Sequence, residues 1–231
     1  MLASVIARFD IVALQEVGSN YSASSDSTCV SILNTFVARV NELSSPVVYA
    51  YVRGNQYAIV YRTDTIRLIR SSLYSGTKKF AYMPMTAYFS ALAGNFDFAM
   101  ITIHTSPSVA VTEIPALKTA ISEVSALYGE PDVICLGDYN ADGAYYAEGK
   151  GLSLAGFDGY ITGIPNTADT TVAVSSNTYD RIEMTNSLKS DYTNVWDVLA
   201  FLDYYDVASC EGSISDHYPV YCEYYVDRDA D

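Results

Sequence analysis

The amino-acid sequence predicts an α+β fold in which β-sheets pack together and a few long helices lie outside them. Two observations predict this class. Short apolar runs typical of strands outnumber the helical patterns, and the two long helical patterns each place their apolar residues on one face. A chain of 231 residues can bury a full core, so we expect one domain over residues 1–231.

The predicted elements follow from the spacing of apolar residues. A spacing of three to four predicts helices at 30–43 and 111–128, and residues 1–8 read as the last turns of another helix. Residues 141–178 are rich in loop-forming residues. Short apolar or alternating runs predict strands at 11–14, 47–52, 57–61, 66–69, 85–92, 96–103, 133–136, 181–184 and 218–226. The continuous apolar run at 11–14 predicts a buried strand.

Composition excludes several classes of protein. Hydrophobic residues make up 50% of the chain and charged residues 17%, which is the reverse of a disordered composition. No apolar run approaches the ~18 residues that a membrane-spanning helix needs, so we expect no membrane partner. The net charge of −14 disfavours a protein that binds nucleic acid through a basic face. It does not exclude an acidic enzyme whose bound metal ions offset the negative charge of a phosphate substrate.

Polar residues stand at the ends of several predicted strands. Each has an ordinary explanation when taken alone: a solvated strand end, a turn or a structural ion pair. Together they provide hard oxygen ligands for Mg²⁺ or Ca²⁺ and two imidazoles that can move protons near neutral pH. Metal-assisted hydrolysis of a phosphodiester requires this combination. The residues are Glu16, His104, Asp138, Asn140, Asp180, Asp216 and His217.

Six stretches in this order carry a family resemblance: DIVALQEV at 10–17, IHTSP at 103–107, LGDYNAD at 136–142, IPNTADTT at 164–171, YDRI at 179–182 and ISDHYPV at 214–220. As a set they resemble the deoxyribonuclease I family of the endonuclease/exonuclease/phosphatase superfamily. His104, followed by a proline three positions later, points to this family rather than to apurinic endonucleases or inositol phosphatases.

The resemblance implies a four-layer sandwich, with two packed, mainly antiparallel β-sheets flanked by helices and the site at one end. It implies that His104 and His217 form the general acid/base pair and that Asp180 orients His217. Asp138 and Asn140 would contact the metal, water and the scissile phosphate.

The resemblance also implies two kinds of metal site. Glu16, Asp138 and Asp216 would hold a catalytic Mg²⁺ or Mn²⁺, and Asp169 with Thr171 matches a structural Ca²⁺ loop of the family. The sequence offers few cations for binding substrate, and Arg53 and Arg181 are the best candidates near the predicted cleft.

The sequence departs from the family pattern in two places that matter for activity. It starts within the helix that follows the family's first strand, so we expect a fold that lacks this strand and its metal-side asparagine. Asn55 stands where the family has a glutamate beside the histidine matched by His104. An amide cannot stabilise an imidazolium by charge, so His104 should be a weaker proton carrier.

The resemblance implies a monomeric, metal-dependent endonuclease with DNA as its substrate. One alternative is a catalytically impaired or inactive relative that keeps the scaffold and binds DNA or a partner. Another is a phosphatase or phosphodiesterase of the same superfamily that acts on a small substrate. Relatives are often secreted, but no signal peptide is visible in this sequence, and the compartment stays open.

Overall fold

The computed structural model of the chain describes residues 1–17, 27–147, 157–201 and 215–230. Its α-helices are α1 (Leu2–Ile6), α2 (Ser27–Ser44) and α3 (Ala110–Tyr128). The strands are β1 (Ile11–Leu14), β2 (Tyr49–Gly54), β3 (Tyr57–Arg62), β4 (Ile66–Leu73), β5 (Met85–Ala91), β6 (Asp97–His104), β7 (Val133–Asp138), β8 (Ile161–Thr162), β9 (Asp180–Met184), β10 (Tyr192–Val198) and β11 (Val220–Tyr224). The sequence pattern did not predict β10, because most of its residues are exposed and show no alternation.

The strands form two packed layers. A six-stranded sheet has the order β4-β5-β6-β7-β9-β8, and every neighbouring pair in it is antiparallel except β6 with β7. The opposing layer consists of a three-stranded sheet, β1-β3-β2, and a two-stranded sheet, β10-β11. The prediction of packed, mainly antiparallel sheets is therefore confirmed.

Three apolar clusters hold the layers together. Helix α3 packs on one face of the six-stranded sheet through buried residues such as Leu117 and Ile121. The other face packs against β3 and β10, with Phe98 and Ile59 among the buried residues. Helices α1 and α2 cover the three-stranded sheet, where Val40 is fully buried. The order is helix, sheet, sheet, helix, which confirms the four-layer sandwich.

A cleft of about 1660 Å³ separates β1 from β11. In the described part of the chain, β1 pairs only with β3 and β11 pairs only with β10, so each strand keeps one unpaired edge. The four residues of β1 are only half-buried, although their apolar sequence predicted a fully buried strand. The cleft leads to the strand ends that carry the predicted site residues.

In the described part of the chain, no helix combines the length and the apolar character needed to cross a membrane.

Candidate active site

Strand register brings three of the predicted site residues side by side. His104 ends β6 and lies opposite Asp138, which ends β7. Asp138 in turn lies opposite Asp180, which begins β9. His217 reaches the same place because it forms a single bridge with Thr171 just before β11. The catalytic set predicted from strand ends is therefore one cluster in space.

Asp180 holds His217 in a fixed orientation. The Nδ1 of His217 lies 2.7 Å from Asp180 Oδ2, and its Nε2 lies 3.8 Å from Asp138 Oδ2. Burial disfavours the charged imidazole, but the hydrogen bond to Asp180 and the charges of Asp180, Asp138 and Asp216 outweigh it and raise the pKa of His217 to about 9. His217 is therefore protonated at neutral pH.

His104 has the opposite electrostatic character. It is 9% exposed, and burial lowers its pKa, although the charge of Glu16 partly offsets the change. Its Nε2 lies 3.5 Å from Asp138 Oδ2, and its Nδ1 lies 3.4 Å from Glu16 Oε1. The Nδ1 atom is buried and has no hydrogen-bond partner among the described residues. His104 is therefore neutral at pH 7 while His217 is charged.

The end of β7 and the residues just after it have a backbone that only certain residues can adopt. Gly137 has φ 139°, and a Cβ atom there would lie 1.9 Å from the carbonyl oxygen of Ile103. Asn140 has φ 48°; its N–H donates to Asp138 Oδ1, and its Nδ2 donates to Thr105 O. These bonds fix both side chains predicted to face the scissile phosphate.

The divalent ion predicted at Glu16 and Asp138 stays a prediction. Both carboxylates lie beside His104, and the Glu16 side chain is 57% exposed at a strained backbone position, φ 55°. Within the described residues, no group of three or more His, Cys, Asp or Glu side chains is arranged to hold a metal. Mg²⁺ needs only one or two carboxylates when water and phosphate complete its shell. Asp216 is exposed next to His217, and its part in metal binding stays a prediction.

In the loop predicted to bind Ca²⁺, the Asp169 carboxylate accepts hydrogen bonds from within the loop. Asp169 Oδ1 accepts hydrogen bonds from the N–H and the hydroxyl of Thr171, at 3.1 and 3.0 Å. The hydroxyl of Thr171 also contacts the carbonyl oxygen of Ser175. Asp169 and Thr171 thus lie together as predicted, and a bound Ca²⁺ remains a prediction.

The two predicted substrate-binding arginines differ in the structure. Arg53 is half-buried in β2, beside the β2–β3 turn. Arg181 is 1% exposed, and its guanidinium donates to the carbonyl oxygens of Ile164 and Ala141 and to Asn166 Oδ1. These bonds tie β9 to the loop before it, and a contact of Arg181 with substrate stays a prediction.

Three further residues support the site but were not singled out from the sequence. Gln15 accepts the N–H of Asp138 and donates to Thr102, which connects the end of β1 to the six-stranded sheet. The hydroxyl of Tyr57 accepts the N–H of His104, at 3.0 Å. The ring of Tyr82 stacks on the His104 ring, with centroids 5.8 Å apart. Only Gln15 carried a signal, because it precedes Glu16 in the matched stretch 10–17.

The profile of the Endonuclease/Exonuclease/phosphatase family matches residues 1–217. The chain is 28% identical to deoxyribonuclease-1 of Oryctolagus cuniculus, covering 95% of this chain and 82% of that protein. It is 32% identical to deoxyribonuclease-1-like 1 of Cricetulus griseus, covering 96% and 75%. Among solved structures, D. rerio TDP2 complexed with single strand DNA product superposes with a TM-score of 0.61 at 16% identity, covering 97% and 90%.

Proposed function

Since the chain belongs to the deoxyribonuclease I family within the endonuclease/exonuclease/phosphatase superfamily, we propose that it is a metal-dependent endonuclease that hydrolyses phosphodiester bonds of DNA. One observation supports this proposal above the others. The buried imidazole of His104 and the half-buried imidazole of His217 lie on either side of Asp138, and their pKa values are displaced in opposite directions. Pairs of groups held in opposite protonation states mark acid/base sites.

The proposed reaction needs one group that accepts a proton from water and another that donates a proton to the leaving oxygen. His104 is neutral and can accept the proton. His217 is charged and can donate it from Nε2, because its Nδ1 is held by Asp180. The Oδ2 atom of Asp138 lies within 3.8 Å of the Nε2 atoms of both histidines, so the two imidazoles border the same part of the cleft.

A divalent ion held by Glu16 and Asp138 would supply positive charge next to the phosphate oxygens. Asn140 is held between Asp138 and Thr105, so its side chain is positioned before substrate arrives.

A plasmid-nicking assay tests the proposal. Supercoiled DNA should convert to the nicked form with Mg²⁺, with Ca²⁺ present for the loop at Asp169 and Thr171. The conversion should stop with EDTA. Nicking that continues in EDTA would contradict metal dependence, and no nicking under any condition would favour the alternative of an inactive relative.

The surroundings of His104 support the expectation that this histidine is a weaker proton carrier. Its Nδ1 is buried without a hydrogen-bond partner among the described residues. Asn55, at the position where the family has a glutamate, lies in the β2–β3 turn. The neighbouring residue, Gln56, accepts the N–H of Val17 and donates to the hydroxyl of Tyr57. Since Tyr57 bonds the backbone of His104, this turn lies beside both Glu16 and His104.

We expect Asn55→Glu to raise the nicking rate by up to about tenfold. A carboxylate near His104 would favour its charged form, and one pKa unit corresponds to ~1.4 kcal/mol. The lower limb of the pH–rate profile should move to higher pH. Asn55 has φ 51°, where glutamate is more strained than asparagine, so Asn55→Gln is the matched control with similar strain and no charge. Equal rates and profiles in both variants would contradict this role for residue 55.

We also expect binding to duplex DNA to depend weakly on salt. The chain has 13 basic and 27 acidic residues, and the guanidinium of Arg181 is engaged with protein oxygens. Each phosphate contact adds about −0.9 to the slope of log binding constant against log salt. A titration should give a slope shallower than about −5, and a slope matching six or more phosphate contacts would contradict this expectation.

A further inference from the structure

Three tyrosine rings stand beside the two histidines of the site. The Tyr82 ring is stacked on His104, at 28° between planes. On the other side, the Tyr179 ring lies 6.0 Å from His217, and the Tyr145 ring lies 5.6 Å from Tyr179. All three line the cleft that contains the site. The two catalytic imidazoles are therefore bracketed by aromatic surface.

These rings are partly open to solvent and are carried by well-fixed backbone. Tyr145 is 40% exposed, and Tyr82 and Tyr179 are half-buried. The N–H of Tyr179 donates to Thr170, and its carbonyl oxygen accepts the N–H of Tyr139. The carbonyl oxygen of Tyr82 accepts the hydroxyl of Tyr57. Rings held in this way offer contact area at a small entropic cost.

The charge of the cleft disfavours the usual way of holding a duplex. Affinity for duplex DNA comes largely from cations on phosphates. Among the described residues that line the cleft, the arginines are Arg8 and Arg181, and Arg181 is engaged with protein oxygens. Stacking of a base on an aromatic ring needs no cation, but it requires a base that is not already stacked within a helix.

We propose that Tyr82, Tyr145 and Tyr179 form stacking subsites for nucleobases and that the preferred substrate is single-stranded or locally unpaired DNA. The inference rests on the proposed function, since it names the form of DNA that the same site takes. A base next to the scissile phosphate would lie against Tyr82 on one side or against Tyr179 and Tyr145 on the other. Such stacking tolerates any base, so we expect little sequence preference.

The test measures binding apart from hydrolysis. Fluorescence anisotropy in EDTA compares three labelled probes: a 12-nucleotide single strand, the duplex of the same sequence, and a single strand with the same phosphates but internal abasic sites. We expect the intact single strand to bind at least about tenfold tighter than either other probe. Equal or tighter binding of the duplex would overturn the proposal, as would equal binding of the abasic strand.

Variants assign the effect to the rings. Tyr82→Leu and Tyr145→Leu should each weaken single-strand binding about fivefold or more, the lower end for one base–aromatic stack. Tyr82→Phe should retain binding. Tyr225→Leu is the matched control, because Tyr225 is 38% exposed but does not line the cleft. Equal losses in the control would overturn the assignment.

Hydrolysis of the same probes with Mg²⁺ separates this inference from the proposed function. If no probe is cleaved while the single strand still binds through its bases, the nuclease proposal fails and the stacking subsites stand. If all probes are cleaved and bound equally, the nuclease proposal stands and the stacking proposal fails.

Discussion

Replacing His217 by alanine is expected to lower plasmid nicking at least ~100-fold, the size of effect typical for a general acid or base. The reason is the charge state of His217. Asp180 holds its Nδ1 at 2.7 Å, and its pKa is raised to about 9, so it carries the proton that the leaving oxygen needs. The measurement is the initial nicking rate at saturating Mg²⁺, over pH 6 to 9.

Two controls show whether the loss comes from chemistry. Glu223→Ala removes an exposed side chain from β11, close in sequence to His217, and should leave the nicking rate unchanged. Added imidazole should restore part of the activity of His217→Ala, because it can enter the space left by the ring. A variant that nicks DNA at the unchanged rate would show that His217 is not a proton carrier.

The strands that position the site could be predicted from sequence because their apolar runs are short and end in polar residues. His104 and Asp138 were placed at strand ends, and the structure confirms both positions. Sequence alone does not give the order of strands in a sheet. The contact between His104, Asp138 and Asp180 depends on β7 lying between β6 and β9, which only long-range pairing decides.

The surroundings of Arg181 and of β1 depend on residues that are distant along the chain. Arg181 follows Asp180 and was expected to reach substrate. Its partners are Ala141 and the segment of Ile164 and Asn166, whose path no local pattern predicts. In the same way, the apolar sequence of β1 predicted full burial, but in the described part of the chain β1 lies at the edge of its sheet and is only half-buried.

The surroundings of His104 show the same limit at the level of single side chains. The stretch 103–107 identifies this histidine as a site residue, yet nothing in it indicates that Tyr57 would bind its backbone or that Tyr82 would cover its ring. Both tyrosines read as ordinary aromatic residues. They become informative only when the sheets are packed and the rings are seen to face the cleft.

Asp132→Asn is expected to stabilise the protein at neutral pH by up to about 3 kcal/mol. Asp132 is 1% exposed in the segment between α3 and β7, remote from the active site in the fold. Burial raises the pKa of its carboxyl to about 6; the Ser187 hydroxyl opposes this, and the charges of Asp229, Asp191 and Asp97 add to it. The folded state therefore bears the cost of a buried charge at pH 7, and asparagine removes it.

The direction in which the free energy of unfolding changes with pH tests this prediction. Because the folded pKa lies above the unfolded value of about 3.9, the stabilising effect of protonated Asp132 is fully present below pH 4 and lost as pH rises through about 6. Urea unfolding at pH 4, 5, 6 and 7 should show the variant gaining stability over the parent mainly between pH 4 and 6. Asp158→Asn, at an exposed position, should follow the parent at every pH. A constant difference between Asp132→Asn and the parent across this range would mean that folding does not raise the pKa of the Asp132 carboxyl.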